Sequence, residues 1–468
     1  MLPVNCGSHA DYQNLVVENL RKYYPNPDLL ARSTWDIIER FWHLDLSDTD
    51  TLLTHKYSKF GPAPRTPSCM QRSYLLSIDF KVSSITEWAA QLKMNPLFAI
   101  LSGFQVGDTP GVGTFYDFMK RLWDSDEPHM TSHIHPLKAK VKKPDAKGEK
   151  AASVEKVTVA ELLPQLEKTA FPLNDQPYAS LFKIYQKEFL DVSVEKGLIH
   201  KDSLALAGDG TPVVTSHRER KKRICKCKEN GINDCSCDRY FSQPDCDIGW
   251  DSSRDCFYHG YDLYMLVDSQ SDLPVFPHYS YASKHDSHGF LQAFFRMRAF
   301  LPDYKVSKVL LDSAHDAMPY YQYFKRQNIT PFIDLNGKGG RPPVYKNNFT
   351  IDKDGVPVCP SGHRMRRDGI EVAKGRMKFK CPKISHTGGC ISCTCDKPCS
   401  KAKYGRTVHL ILNDNPRLFN NPPRSSKEWK LEYNARTSAE RSNKREKLDF
   451  KLEDGRHRST KMWYCRLY

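Results

Sequence analysis

The stretch Leu204-Ala-Leu-Ala-Gly-Asp209-Gly-Thr-Pro-Val-Val214 decides the fold class. Its apolar run, with Gly and Pro behind it, predicts a strand that delivers Asp209 into a Gly-containing turn. Downstream, Gly260-Tyr-Asp-Leu-Tyr-Met-Leu-Val-Asp268 reads as a second strand and Leu273-Pro-Val-Phe-Pro-His-Tyr-Ser-Tyr281 as a third. A helix over 289–301, rich in Phe, Arg and Met, precedes a fourth strand, Val306-Ser-Lys-Val-Leu-Leu-Asp312, which again ends in Asp. A helix over 319–327 and a fifth strand, Ile329-Thr-Pro-Phe-Ile-Asp-Leu335, follow. Strands in succession and then a strand–helix–strand unit predict an α/β sheet. In open sheets of this class, ligands and metals gather where strands stop. One Asp at such a place is an ordinary turn residue. Two of them, joined by a carboxylate from a later helix, make a candidate cluster.

The later helix is Tyr433-Asn-Ala-Arg436-Thr-Ser-Ala-Glu440-Arg-Ser-Asn-Lys-Arg-Glu-Lys447, which no Gly or Pro interrupts. At about 100° per residue, Arg436, Glu440 and Lys447 fall at roughly 300°, 340° and 320° from Tyr433. One face then bears a carboxylate, two cations and an aromatic hydroxyl, the layout needed to present a metal ligand beside phosphates. The plainer alternative is an exposed basic helix.

Over the 468 residues, Lys and Arg number 70 against 55 Asp and Glu, a formal charge of +15 that favours a polyanionic partner. The start of the chain lacks a charged segment followed by an apolar run, and no stretch is long enough to span a bilayer. A soluble cytoplasmic protein is expected, with no membrane partner. In that reducing compartment the 15 cysteines favour metal ligation or free thiols over disulfides.

Residues 1–135 read as a small helical domain. Amphipathic helices are expected over 12–24, 33–41 and 68–80, a further one after Ser84, and one from Phe115 to Trp123 capped by Thr114. DNA binding is the functional expectation for this domain, and simple packing the bland one. Residues 136–160 form a Lys-rich linker poor in large apolar residues. The segment 161–468 then holds the sheet, with a Cys-rich insertion at about 337–425.

Asp209 on the first strand, Asp312 on the fourth and Glu440 on a late helix are similar in order to the RNase H-like core of DDE transposases encoded by bacterial insertion sequences. The spacing of Tyr433, Arg436, Glu440 and Lys447, with two, three and six residues between them, resembles the YREK signature of one large transposase group. Gly208-Asp209-Gly-Thr, Leu311-Asp312-Ser-Ala and the stretch from Gln243-Pro-Asp245 to Gly260-Tyr261 resemble that group too, and Thr114-Phe-Tyr-Asp-Phe resembles the domain that precedes its core.

The resemblance implies an α/β fold with an RNase H-like mixed sheet flanked by helices. It also implies a transposase that cleaves and joins its element's inverted-repeat ends in double-stranded DNA, associated with the nucleoid. Two Mg²⁺ ions would be held by Asp209, Asp312 and Glu440, and Tyr433, Arg436 and Lys447 would contact DNA phosphates. A homodimer on DNA is expected, the basic linker reaching a neighbour. The competing expectation is a catalytically inactive or truncated transposase-derived DNA-binding protein. Asp245, Asp247, Asp262, Asp268 and Asp316 are read as turn and cap residues, and His285, Asp286 and His315 as supporting groups at most.

Two cysteine clusters stand apart from this set. Cys225-Lys-Cys227 and Cys235-Ser-Cys237 offer four thiols for Zn²⁺, although at Cys-x-Cys spacing. The basic residues 218–223 beside them suit either DNA or a solvated loop. Within the insertion, Cys359, Cys381, Cys390 or Cys393, and Cys399 are candidate ligands of a zinc-ribbon-like site, against the alternative of free thiols. Gly337-Lys-Gly-Gly-Arg lacks the spacing of a phosphate-binding loop.

Overall fold

The structure is a computed structural model that describes the chain apart from residues 1–6, 59, 62, 126–156, 216–221, 224, 238, 241–242, 244–245, 337–343, 346–348, 353, 388–389 and 458. Most of the expected basic linker, and Arg218, Arg220, Lys221 and Asp245, lie outside the described residues.

Seven helices open the chain: His9–Tyr23 (α1), Arg32–His43 (α2), Ser47–Leu53 (α3), Pro67–Asp79 (α4), Ile85–Met94 (α5), Pro96–Ser102 (α6) and Val112–Arg121 (α7). Local chemistry sets their starts. Ser8 and Asp11 form a reciprocal capping box on α1, and Ser84 Oγ accepts from Glu87 N at 3.2 Å on α5. The last helix departs from expectation: α7 begins at Val112 behind Gly111, so Thr114 lies inside it and caps nothing. Val159–Lys168 (α8) and Ala179–Tyr185 (α9), continued through a π-helical turn into Val192–Glu195 (α10), lead to the sheet.

The main sheet has six strands: Leu204–Val214 (β1), Asp247–Asp251 (β2), Cys256–Asp268 (β3), Pro274–Tyr281 (β4), Val306–Leu311 (β5) and Thr330–Ile333 (β6). Their order is β2–β3–β1–β5–β6, with β4 also on the outer edge of β3. The pairs among β1 to β4 are antiparallel, and those of β1 with β5 and β5 with β6 are parallel. The protein is therefore mixed α/β. Asp286–Phe300 (α11) and Met318–Arg326 (α12) are the helices linking β4, β5 and β6.

Asp209 does not stand at a strand end, as the sequence suggested. Gly210 to Val214 continue β1 by pairing with Tyr264 to Gly260 of the long strand β3. What stops near Asp209 is the other side of β1, because its parallel pairing with β5 ends at Ala207 opposite Leu310. Asp209 and Asp312 each lie two residues beyond that last pair. Side chains alternate along strands, so the register brings both toward one place where the sheet has parted.

Lys427–Asn434 (α13) and Thr437–Lys444 (α14) replace the single helix expected over 433–447, and a π-helical turn follows at Arg445–Asp449. At the join, Ala435 N and Arg436 N bond three residues back, to Glu432 O and Tyr433 O, and Thr437 Oγ1 donates to Asn434 O at 3.0 Å. Such a local hydroxyl bond competes with the helical ladder.

The closing helix, Thr460–Leu467 (α15), buries Trp463 and Tyr464. Tyr464 stacks on Tyr178 at 4.7 Å, and one continuous apolar core unites α15, the N-terminal helices and the sheet. The insertion has a separate core around Phe349, Met365, Met377, Phe379 and Val408, under the strands Arg366–Glu371, Arg376–Lys380 and Thr407–Ile411. Its returning arm is tied to the sheet domain. Arg417 makes a two-pronged ion pair with Asp316 (2.8 and 2.6 Å), and buried Arg424 donates to Ile333 O and to Tyr321 Oη.

Candidate active site

Helix α14 packs across β1 and β3 and brings Glu440 and Asn443 to Asp209. Asn443 Nδ2 donates to Asp209 Oδ2 at 3.2 Å, while Asn443 Oδ1 is buried without a hydrogen-bond partner. Burial, and then the neighbouring charge of Asp286, push the Asp209 carboxyl up to about 7; Arg436 opposes this, and Asp312 and Glu440 add to it. These carboxylates thus share one electrostatic environment.

Asp312 stands just past β5 and caps a short turn, accepting from Ala314 N at 3.1 Å. Its Oδ1 lies 2.6 Å from Nδ1 of buried His315, whose Nε2 lies 2.9 Å from Tyr264 Oη. His315 thus bridges Asp312 on the rim and Tyr264 in the core. Burial alone would raise Asp312, but the bond and charge of His315, then the bond from Ala314 and the charge of Arg436, hold it below the usual carboxylate range. Glu440, half exposed, accepts from Arg436 Nη2 at 2.6 Å.

Two further carboxyls line the back of this cluster. Helix α11 starts three residues earlier than the sequence indicated, with His285 as its cap, and this sets Asp286 in its first turn. A Cβ on Gly210 would meet Asp286 Oδ1 at 2.7 Å and Asp262 Oδ1 at 3.4 Å, so only glycine lets these carboxyls close on β1. Burial, and then the charge of Asp286, raise Asp262 well above its ordinary range; burial also raises Asp286, with His315 and His285 opposing and Asp312 adding to it. Asp262, expected as a turn or cap residue, instead lies within β3 beside the cluster, and Asp286 stands with it, next to the groups it was expected to support.

The remaining signature residues face inward. Tyr433 stacks on Trp429 at 4.6 Å, under the guanidinium of Arg436. Lys447 Nζ donates to Pro212 O at 2.7 Å and pairs with Glu453 Oε1 at 3.1 Å, fixing the second half of β1. Arg441 pairs with Asp272, whereas Lys444 and Arg445 are exposed.

The oxygens of Asp209, Asp312 and Glu440 are not gathered as tightly as a metal would draw them. Among the described residues, one group of three or more His, Cys, Asp or Glu has its ligand atoms within 4.8 Å of one another, and it is Cys225, Cys227, Cys235 and Cys237. Like charges explain the spread of the acids: each has turned to its own donor, Asn443, His315 or Arg436. The donor set consists of hard oxygens, with Asn443 Oδ1 buried and unmatched beside it. The four thiols can bind a metal such as zinc. In the insertion, Cys359 and Cys381 are buried, and burial, then the neighbouring Cys359 thiol, raise the Cys399 thiol. The side chains of Cys390 and Cys393 lie outside the described residues. No helix among the described residues is long and apolar enough to cross a membrane.

Comparison of the chain with protein-family models, curated proteins and solved structures gives no match in any of the three.

Proposed function

We propose that this chain is a DDE-type DNA transposase with an RNase H-like core, cutting its element's inverted-repeat ends and joining them to target DNA. One observation carries the reading: the β1–β5 register sets Asp209 and Asp312 at the same parted edge of the sheet, and α14 lays Glu440 and Asn443 against it. The sheet order and strand directions agree with an RNase H-like core. Mg²⁺ held by Asp209, Asp312 and Glu440 would activate the attacking oxygen and neutralise charge on the leaving one.

The chain's own residues prepare the site. Asn443 orients Asp209, whose raised proton affinity a bound cation would lower. His315, steadied by Tyr264, fixes Asp312 in its ionised form. Arg436 holds Glu440 at the rim, and exposed Lys444 and Arg445 offer charge to a DNA backbone. Double-stranded DNA is the partner, with two copies of the chain acting on paired ends.

A second reading, a DNA-binding protein of the same descent without catalysis, is favoured by the spread of Asp209, Asp312 and Glu440, whose oxygens do not meet within 4.8 Å of one another. Incubation with Mg²⁺ and a duplex carrying the sequences that bracket the coding region separates the two. The transposase reading expects nicks with 3′-hydroxyl ends and joined products, both lost in Asp209→Ala and Glu440→Gln. Binding without any strand cleavage supports the second reading.

A further inference from the structure

We propose that Cys225, Cys227, Cys235 and Cys237 form a structural zinc site of four thiolates that closes the hairpin inserted between β1 and β2. The site is separate from the carboxylate cluster and does not depend on the transposase reading. The hairpin begins and ends as an antiparallel ribbon, with Lys222 opposite Tyr240 and Arg223 opposite Arg239. Two thiols follow on the outgoing arm and two precede the ribbon on the returning arm. Between them the chain turns tightly: Asn230 N donates to Lys226 O, Ile232 N to Cys227 O, and Gly231 takes φ +77°.

Sulphur distances identify the chemistry. Cys225 Sγ lies 3.4 Å from Cys235 Sγ, and Cys227 Sγ 3.6 Å from Cys237 Sγ. A disulfide requires about 2.05 Å. A tetrahedron with Zn–S of about 2.3 Å has edges of about 3.8 Å, and the observed pairs lie close to that value. All four sulphurs fall within 4.8 Å of one another, so the cluster is one group of four and not two isolated pairs. Four soft donors select zinc over the hard cations that suit the carboxylates.

Apolar packing gives the hairpin between the cysteines no support. Its one large apolar residue between the cysteines, Ile232, is 52% exposed, and residues 225–237 contribute nothing to either apolar core. A segment this short without a core requires a staple, and a structural zinc site supplies one. Cys-x-Cys is not the usual knuckle spacing, and pairing across the two arms compensates for it.

The test uses the full chain, purified without added metal or chelator, and the Cys225→Ser/Cys235→Ser double variant. Metal analysis should find one zinc fewer per chain in the variant than in the wild type. This difference removes any contribution from the insertion's cysteines. Cobalt added to the zinc-stripped wild type should give the visible bands of tetrahedral thiolate coordination at higher intensity than in the variant. Cys237→His, which keeps a ligand there, should retain the zinc. Far-UV circular dichroism of each variant should match the wild type, because the sheet's core lies elsewhere. Equal zinc in wild type and double variant, or Cys225–Cys235 and Cys227–Cys237 disulfides in non-reduced peptide maps, would overturn the proposal.

Discussion

Gly210→Ala is the sharpest perturbation of the carboxylate cluster. The new methyl would lie 2.7 Å from Asp286 Oδ1 and 3.1 Å from its Cγ, inside normal contact distance, with Asp262 Oδ1 at 3.4 Å on the far side. Asp286 is fixed in the first turn of α11 and packed among buried groups, so relief requires moving a buried carboxyl or the strand itself. Overpacking of this kind costs about 1–3 kcal/mol. Asp286→Ala removes the clashing atoms, and in that background Gly210→Ala should cost roughly 0.5 kcal/mol or less. The pair should therefore couple by about 1–2 kcal/mol, well above the additivity limit of about 0.3–0.5 kcal/mol for independent sites. Urea unfolding followed by tryptophan fluorescence, compared at unchanged m, reads the four corners of the cycle. Additive effects, or a Gly210→Ala protein as stable as wild type, would refute the contact and with it the place of Asp286 in the site.

Three other outcomes follow from particular contacts. Asn443→Ala removes the amide that orients Asp209 and should lower metal-dependent cleavage about 10- to 100-fold, with the urea midpoint moving little; Asn443→Asp should not restore activity, since it adds a like charge beside Asp209. His457, buried and next to Arg466, is pushed down to about 3, so it is neutral when folded and takes a proton on unfolding below its ordinary 6.5. Its contribution is complete above that value and is lost as pH falls toward 3. Relative to His457→Phe, the wild type should lose about 2–3 kcal/mol between pH 7.5 and 4.5, measured by urea unfolding at each pH. Lys444→Ala and Arg445→Ala, at exposed positions, should each flatten the plot of log affinity against log salt by about one for duplex DNA, with sequence preference unchanged.

The apolar runs at 204–207, 263–267 and 309–311 made the central strands legible, because buried strands need little beyond continuous apolar residues and turn signals. Asp209's mid-strand position was not legible, because it depends on β3 being long enough to carry the antiparallel pairing through Val214. Asp286 was noted only as a supporting group, because in the polar run Lys284-His-Asp-Ser-His288 a helix start and a loop look alike. Asn443 did leave a signal: an amide is a poor helix former, and placing one in a helix interior calls for a buried partner. The break at Ala435–Arg436 was missed because α-helical periodicity takes no account of a side-chain hydroxyl such as that of Thr437 competing with the ladder.

The central claim is tested most directly by cleavage of end-bearing duplex DNA by wild type and Asp312→Cys, each in Mg²⁺ and in Mn²⁺, with Asp312→Ala as control. A thiolate is a poor ligand for the harder Mg²⁺ and a better one for Mn²⁺. The account predicts that wild type cuts with either cation, that Asp312→Cys cuts only with Mn²⁺, and that Asp312→Ala cuts with neither. Wild-type rates from Asp312→Ala in Mg²⁺, or cleavage that needs no divalent cation, would contradict it.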